Sequence, residues 1–419
     1  MRVLFVPLPV ESHLKAQTQL AWALRAAGHQ VQIAVTPDLT AEIMRTGLTG
    51  VPVGPFLGLR DYLAEVVTDG SSGADESLPD EAFMDWDDVR QRISDLTVGW
   101  FRVVCPDATV ADLVAYARHW RPDLVIWDPM MMGAAVAAVA GGAMHVRLLF
   151  GTDRMGRLRS AFLRKAAGDA EDPLRQWLAS LGGQYGLAFT EEMVLGRWTI
   201  DPMPSWVRRA PEPRYLAMRH VTVNGPGLLP DWLRVPPGGR RICLTLGASH
   251  RAAYGSKASV AALLEAVDGL DVEVVATFDA DELRVVERVP DNVRPVDFVP
   301  LGALLPTCAA VVHHGGAGTF GAALEHGVPQ LIIPSSLLNE ERNWGPIEFA
   351  QGLHEHGAGV YVANSYTFTP QRLREHIVEV LENDDFSRRA AALRHESLAR
   401  PAVAEMVQTL ERLVADERR

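Results

Sequence analysis

Ala309-Ala310-Val311-Val312-His313-His314-Gly315-Gly316-Ala317-Gly318-Thr319 compresses a strand, a glycine turn and the start of a helix into one stretch of this 419-residue chain. The apolar residues before the histidines read as a buried parallel strand, and Phe320 to His326 reads as a helix. Glycines let a backbone approach a ligand closely. The free N–H groups opening a helix, at its positive dipole end, favour phosphate. The imidazole of His314 and the hydroxyl of Thr319 add donors toward a diphosphate. The alternative without a ligand is a turn that simply packs helix on strand. Gly316, Gly318 and Gly321 also satisfy GxGxxG, with Glu340 at the spacing of a ribose acid. The paired histidines and the position late in the chain are foreign to that dinucleotide motif.

On either side of this stretch the same βα grammar recurs. Val3-Leu4-Phe5-Val6 reads as a buried strand, a helix from about Leu14 to Ala27 follows, Gly28 sits at its C-cap, and Val31, Ile33 and Val35 alternate as a second strand. Leu124 to Trp127 is a further strand, Pro129 to Val146 reads as a buried Ala-rich helix, and Arg154 to Leu181 as an amphipathic helical region over the first sheet. A Pro- and Gly-rich passage from Asn224 to Arg240 breaks the pattern. Strands then restart at Ile242 to Leu246, Val272 to Thr277 and Arg294 to Val299. The expected organisation is α/β throughout: a Rossmann-like domain over 1–223, a linker over 224–240, a second Rossmann-like domain over 241–395, and a helical segment over 396–419 able to pack back on the first domain. The carboxyl ends of the two sheets then face a common cleft.

Composition removes several classes. With 40 Lys+Arg against 52 Asp+Glu the net charge is −12, which repels nucleic acid and anionic lipid. Cys105, Cys243 and Cys308 form no CxxC pair, which argues against a zinc knuckle, an Fe–S site or a disulfide framework. The short, proline-broken apolar start is not a signal peptide, and the longest uncharged stretch falls short of a membrane span. A cytoplasmic protein is expected.

His13 falls where the first strand meets its helix, a position suited to a general base, and Asp128 closes a later strand of the same sheet, where it can fix the tautomer of that ring. Their bland readings are an incidental histidine and a turn aspartate. Asp85-Trp86-Asp87 and Asp279-Ala280-Asp281 have DxD spacing for a divalent ion, but read better as solvated turns.

Together with Leu20 to His29, Gly225-Pro226, Pro230 to Leu233, Leu244 to Gly247, Leu304 to Ala310 and Gly327-Val328-Pro329-Gln330, these residues resemble the family 1 glycosyltransferases of the GT-B fold. The resemblance is greatest to actinobacterial enzymes that attach dTDP-deoxysugars to macrolides and anthracyclines. It implies two Rossmann-like parallel-sheet domains facing across a cleft, with acceptor on the first and nucleotide sugar on the second. It implies His13 as general base, Asp128 as its orienting acid, and His314, Gly315, Gly316, Gly318 and Thr319 around the donor diphosphate. Ser249 falls near the same phosphates and Val299 where the backbone meets the nucleobase. After Pro334 the chain departs from the family pattern, and Asn339 and Glu340 are the nearest substitutes for the usual sugar-binding pair. The implied reaction is an inverting, metal-independent transfer of a deoxysugar, aminosugars included, from dTDP to an apolar polyketide-type acceptor, with no cofactor beyond the donor. Some relatives use a haem-less cytochrome-like activator protein, and a homodimer is compatible with the resemblance. Competing classes are an epimerase or hydrolase on the same fold, a non-catalytic auxiliary subunit, and a nicotinamide dehydrogenase.

Overall fold

The computed structural model describes residues 1–59, 61–62, 84–168, 170–207, 214–247, 259–284, 286–333, 345–363 and 368–419. Among them two all-parallel sheets form. The first contains β1 (Arg2–Val6), β2 (Gln30–Val35), β3 (Thr49–Pro52), β4 (Leu124–Trp127), β5 (Met144–Leu148), β6 (Trp198–Asp201) and β7 (Tyr215–Ala217) in the order β3-β2-β1-β4-β5-β6-β7. The second contains β8 (Arg241–Thr245), β9 (Glu273–Ala276), β10 (Val293–Pro295), β11 (Ala310–His313), β12 (Gln330–Ile332) and β13 (Gly359–Tyr361) in the order β10-β9-β8-β11-β12-β13. In each sheet the strand order reverses at one place: between β1 and β4 in the first, between β8 and β11 in the second. A crevice opens beyond the strand ends at such a point, because the flanking crossovers leave in opposite directions.

The helix Glu11–Ala26 buries one stripe, His13, Leu14, Gln17, Thr18, Leu20, Ala21 and Leu24, against the first sheet. Gly28 then takes φ +91° to turn the chain into β2. The stretch Pro129 to Val146 is not one helix. Its helical part is Gly133–Ala140, Gly142 breaks it at φ +73°, and the chain continues as β5. Small residues masked this change, since an Ala/Gly/Met run has neither period. The region from Arg154 likewise divides into two helices, Arg154–Lys165 and Pro173–Gly183, the second begun by Asp172 as cap and Pro173 at its first position.

Each sheet has its own apolar clusters, but chain segments cross from one half into the core of the other. Met203 and Val207, in the segment after β6, are each 2% exposed and pack with Phe320, Leu324, Ile332, Phe349 and Leu353 beside the second sheet. Trp206 adds an edge-on contact with Phe320 at 5.9 Å. In the opposite direction, the helix Val403–Glu417 lays Met406, Val407, Leu410 and Val414 into the apolar cluster beneath the helix Glu11–Ala26. Arg400 ties this return crossing to the first sheet, donating to the carbonyls of Asp201 and Met218. Among the described residues, no helix is long and apolar enough to cross a membrane.

Candidate active site

Both reversal points carry the residues singled out by sequence. At the first, β1 and β4 pair with Val6 beside Trp127, so the turn after β1 and Asp128 after β4 emerge side by side. The N–H of Asp128 donates to the Val6 carbonyl at 3.0 Å. His13 lies in the first turn of the following helix, and its Nδ1 is 2.6 Å from Asp128 Oδ2. Oδ1 of Asp128 accepts the Met130 N–H at 2.9 Å. Both carboxylate oxygens are thus engaged in a group only 1% exposed. An ionised Asp128 can only accept, so Nδ1 of His13 donates and Nε2 is left with the lone pair. That is the tautomer in which an imidazole removes a proton.

The turns that carry the pair adjoin an apolar cluster. Leu8, Met130, Met131 and Met132 are buried, and Val10, Tyr62, Trp86, Trp100 and Phe150 pack half-buried against the same cluster. The Phe150 ring lies 3.9 Å from the His13 ring, centroid to centroid, with the planes tilted by 46°. Phe56 stands exposed.

At the second reversal point the two adjacent histidines separate. His313 ends β11 and turns inward: its Nε2 donates to Gln330 Oε1 at 2.9 Å while its Nδ1 accepts the Gly315 N–H at 3.1 Å. Burial pushes its pKa down to about 4, only partly offset by the Gln330 bond, so the ring is neutral and serves to shape the turn. His314 stays half-buried between two glycines. A Cβ on Gly247, which has φ +76°, would come within 2.6 Å of its Cε1, and a Cβ on Gly316 within 2.6 Å of its Nε2. Gly315 takes φ +92° and would place a Cβ 2.6 Å from the Cβ of Pro346. Gly316 is the N-cap of the helix Ala317–His326, with no side-chain cap. The N–H groups of Ala317, Gly318 and Thr319 therefore have no partner within the helix, and a Cβ on Gly318 would meet nothing within 4 Å. Thr319 is buried in that first turn. An uncapped helix start of this kind suits an anion, and this one is open on the Gly318 side.

Val299 lies just past β10, on the same carboxyl edge, with its side chain in the core beside Leu233, Leu304 and Leu305. Only its backbone is available to a ligand. Ser249, Asn339 and Glu340 lie outside the described residues. The two DxD stretches serve as helix caps: Asp85 accepts from Asp88 N–H, and Asp279 forms a reciprocal capping box with Glu282. Among the described residues, no group of three His, Cys, Asp or Glu side chains is placed to hold a metal ion. Sequence reasoning missed the structural role of His313, the packing of Gly247 on His314, and Phe150. Only Gly247, a glycine directly after an apolar strand, carried a local signal.

The two halves of this cleft are fastened together. Arg157, on the helix after β5, pairs with Glu348 at 2.7 Å, both nearly buried. Asn224 Oδ1 accepts the Gly302 N–H at 2.8 Å, and Glu325 accepts the Thr222 N–H at 2.9 Å.

The family model for the N-terminal domain of erythromycin biosynthesis protein CIII-like proteins matches residues 22–247, and that for their C-terminal domain matches 261–413. The chain is 43% identical, over its whole length and 97% of the relative, to an aclacinomycin-T 2-deoxy-L-fucose transferase of Streptomyces galilaeus. It is 42% identical, over its whole length and 99% of the relative, to a 3-alpha-mycarosylerythronolide B desosaminyl transferase of Saccharopolyspora erythraea. A crystal structure of the glycosyltransferase VinC in complex with dTDP superimposes with a TM-score of 0.88 at 40% identity, covering 99% of this chain and 100% of the other.

Proposed function

Because the chain belongs to the erythromycin biosynthesis protein CIII-like family, glycosyltransferases of the GT-B fold, we propose that it transfers a deoxysugar from dTDP to a hydroxyl of an apolar macrolide- or anthracycline-type aglycone by one inverting displacement. The observation that carries this reading is the buried His13–Asp128 pair at one reversal point, with a glycine-lined helix start at the other.

Nε2 of His13 takes the proton of the acceptor hydroxyl as its oxygen attacks the anomeric carbon. Asp128 holds the ring in the productive tautomer and stabilises the imidazolium that forms. The bond from the anomeric carbon to the dTDP oxygen breaks on the opposite face. The departing negative charge meets the N–H groups of Ala317, Gly318 and Thr319 and the ring of His314, donors fixed before the reaction begins. These groups supply the diphosphate contacts, and the reading calls for no metal ion. Val299 offers its backbone to the base of the nucleotide. The acceptor lies against Val10, Tyr62, Trp86, Trp100 and Met130, whose apolar surface suits a polyketide skeleton. The cytoplasm is the compartment that this reading assigns.

The test is a His13→Ala variant, assayed for transfer and titrated with dTDP in a calorimeter. Transfer should disappear while dTDP affinity stays within about twofold. Equal loss of both would contradict the base role. Absence of dTDP binding to the wild type would contradict the donor assignment, and sugar release without any acceptor would favour a hydrolase.

A further inference from the structure

The loop Leu149–Asp153, between β5 and the helix Arg154–Lys165, is anchored more heavily than its length requires. Arg147, at 1% exposure, grips Asp153 at its far end through contacts of 2.6 and 3.2 Å. The same guanidinium reaches Thr199 Oγ1 on β6 at 3.0 and 3.1 Å, and Tyr215 on β7 donates its hydroxyl to Asp153. At the near end the Leu149 N–H donates to the Ile200 carbonyl at 3.0 Å. On its outer side Thr152 abuts Gly345 so closely that a Cβ there would sit 2.7 Å from Thr152 Oγ1. Pro346, the next residue, is the one packed on Gly315 of the diphosphate turn.

What this clamped loop presents is Phe150, whose ring packs against that of His13 at 3.9 Å, centroid to centroid, with the planes tilted by 46°. The hydrogen bond to Asp128 holds Nδ1 but does not by itself set the tilt of the ring, and with it the direction of Nε2. A rigid aromatic face sets that tilt. We propose that Phe150 is a positioning residue for the base, setting the direction of His13 Nε2, and that the buried Arg147–Asp153–Tyr215 network exists to hold it there. The inference rests on the base role of His13.

Displacing a reacting atom by about 1 Å costs on the order of 100-fold in rate. Phe150→Leu, which keeps apolar bulk but loses the flat face, should lower kcat by about 10- to 100-fold, with dTDP affinity and acceptor KM unchanged within about threefold. Phe150→Tyr, which keeps the ring, should restore kcat to within about threefold of the wild type. Placing Phe150→Leu on His13→Ala should add no further loss. A Phe150→Leu enzyme with normal kcat, or one whose loss lies wholly in acceptor KM, overturns the proposal. Parallel loss of kcat and dTDP binding would also overturn it, showing a general defect of folding. If Phe150→Leu does not fold, failure of the Tyr variant to support turnover while binding dTDP normally decides against it. Transfer surviving in His13→Ala would sink the base reading itself, whereas loss of transfer there with normal Phe150→Leu turnover sinks only this inference.

Discussion

Replacing Asp128 by Asn removes one charge with almost no change of shape, and the surrounding hydrogen bonds decide the outcome. Oδ1 accepts the buried Met130 N–H at 2.9 Å and Oδ2 faces His13 Nδ1 at 2.6 Å. An asparagine keeps the Met130 bond only by placing its NH₂ against His13. Nδ1 must then accept, the proton moves to Nε2, and the lone pair that would attack the acceptor proton is gone. Recovering the productive tautomer requires the amide to flip, which sets NH₂ against the Met130 N–H and leaves a buried donor unmatched, at about 1–3 kcal/mol. Loss of the charge-assisted bond to the imidazolium adds about 1.5–3 kcal/mol. Together these correspond to a fall in kcat of about 10²–10⁴-fold, at 1.36 kcal/mol per tenfold. The assay is initial-rate transfer at saturating donor, with dTDP calorimetry and a melting curve as controls; both controls should stay near wild type. Asp128→Asn turnover within threefold of the wild type would refute the tautomer argument.

Gly316→Ala tests the packing of His314: the backbone there has φ −61°, open to any residue, so the penalty falls on the ring 2.6 Å from the new Cβ. Calorimetry should show dTDP binding weakened by about tenfold or more, equivalent to about 1.4 kcal/mol, for a stability loss of about 1 kcal/mol or less. Arg147→Met should destabilise the fold by about 3–5 kcal/mol in denaturant titration, since it strands Asp153 in the interior. Burial alone would raise the Asp153 carboxyl, but Arg147 and the Tyr215 hydroxyl outweigh it and hold that group below the usual carboxylate range. Its contribution is therefore full above the unfolded value near pH 4 and lost as pH falls below it, so the wild type should lose stability with acid more steeply than the Met variant. Met203→Ala should cost about 2–5 kcal/mol, with hydrogen exchange accelerating in the helices Ala317–His326 and Pro346–Glu355, although Met203 follows a strand of the first sheet.

Local chemistry was enough to write the βα grammar. Four-residue apolar runs such as Leu124–Trp127 identify buried parallel strands, and Gly28, Gly315 and Gly327 mark turns only because their φ values of +91°, +92° and +67° exclude most side chains. The glycine turn that opens the helix Ala317–His326 was legible for the same reason: strand, turn and helix are contiguous in the chain, so their geometry is set by neighbours in sequence. Where local signals were weak or ambiguous the reading failed. The run from Pro129 to Val146 hid β5 because Ala, Gly and Met suit either element.

Residue order alone puts His13 and Asp128 each just past a strand of one parallel sheet, but does not make those strands neighbours. That adjacency is a property of strand order, set when the whole sheet pairs, and it brings together two side chains 115 positions apart. Nor does the dipeptide His313-His314 say which ring turns inward. The decision comes from Gln330, supplied by β12 beside β11, which satisfies the buried imidazole of His313. Phe150 over His13 and Met203 in the far core are likewise products of tertiary packing. Apolar burial is non-directional and carries no address in the chain, so which surfaces meet is settled only when both sheets and their crossings are in place.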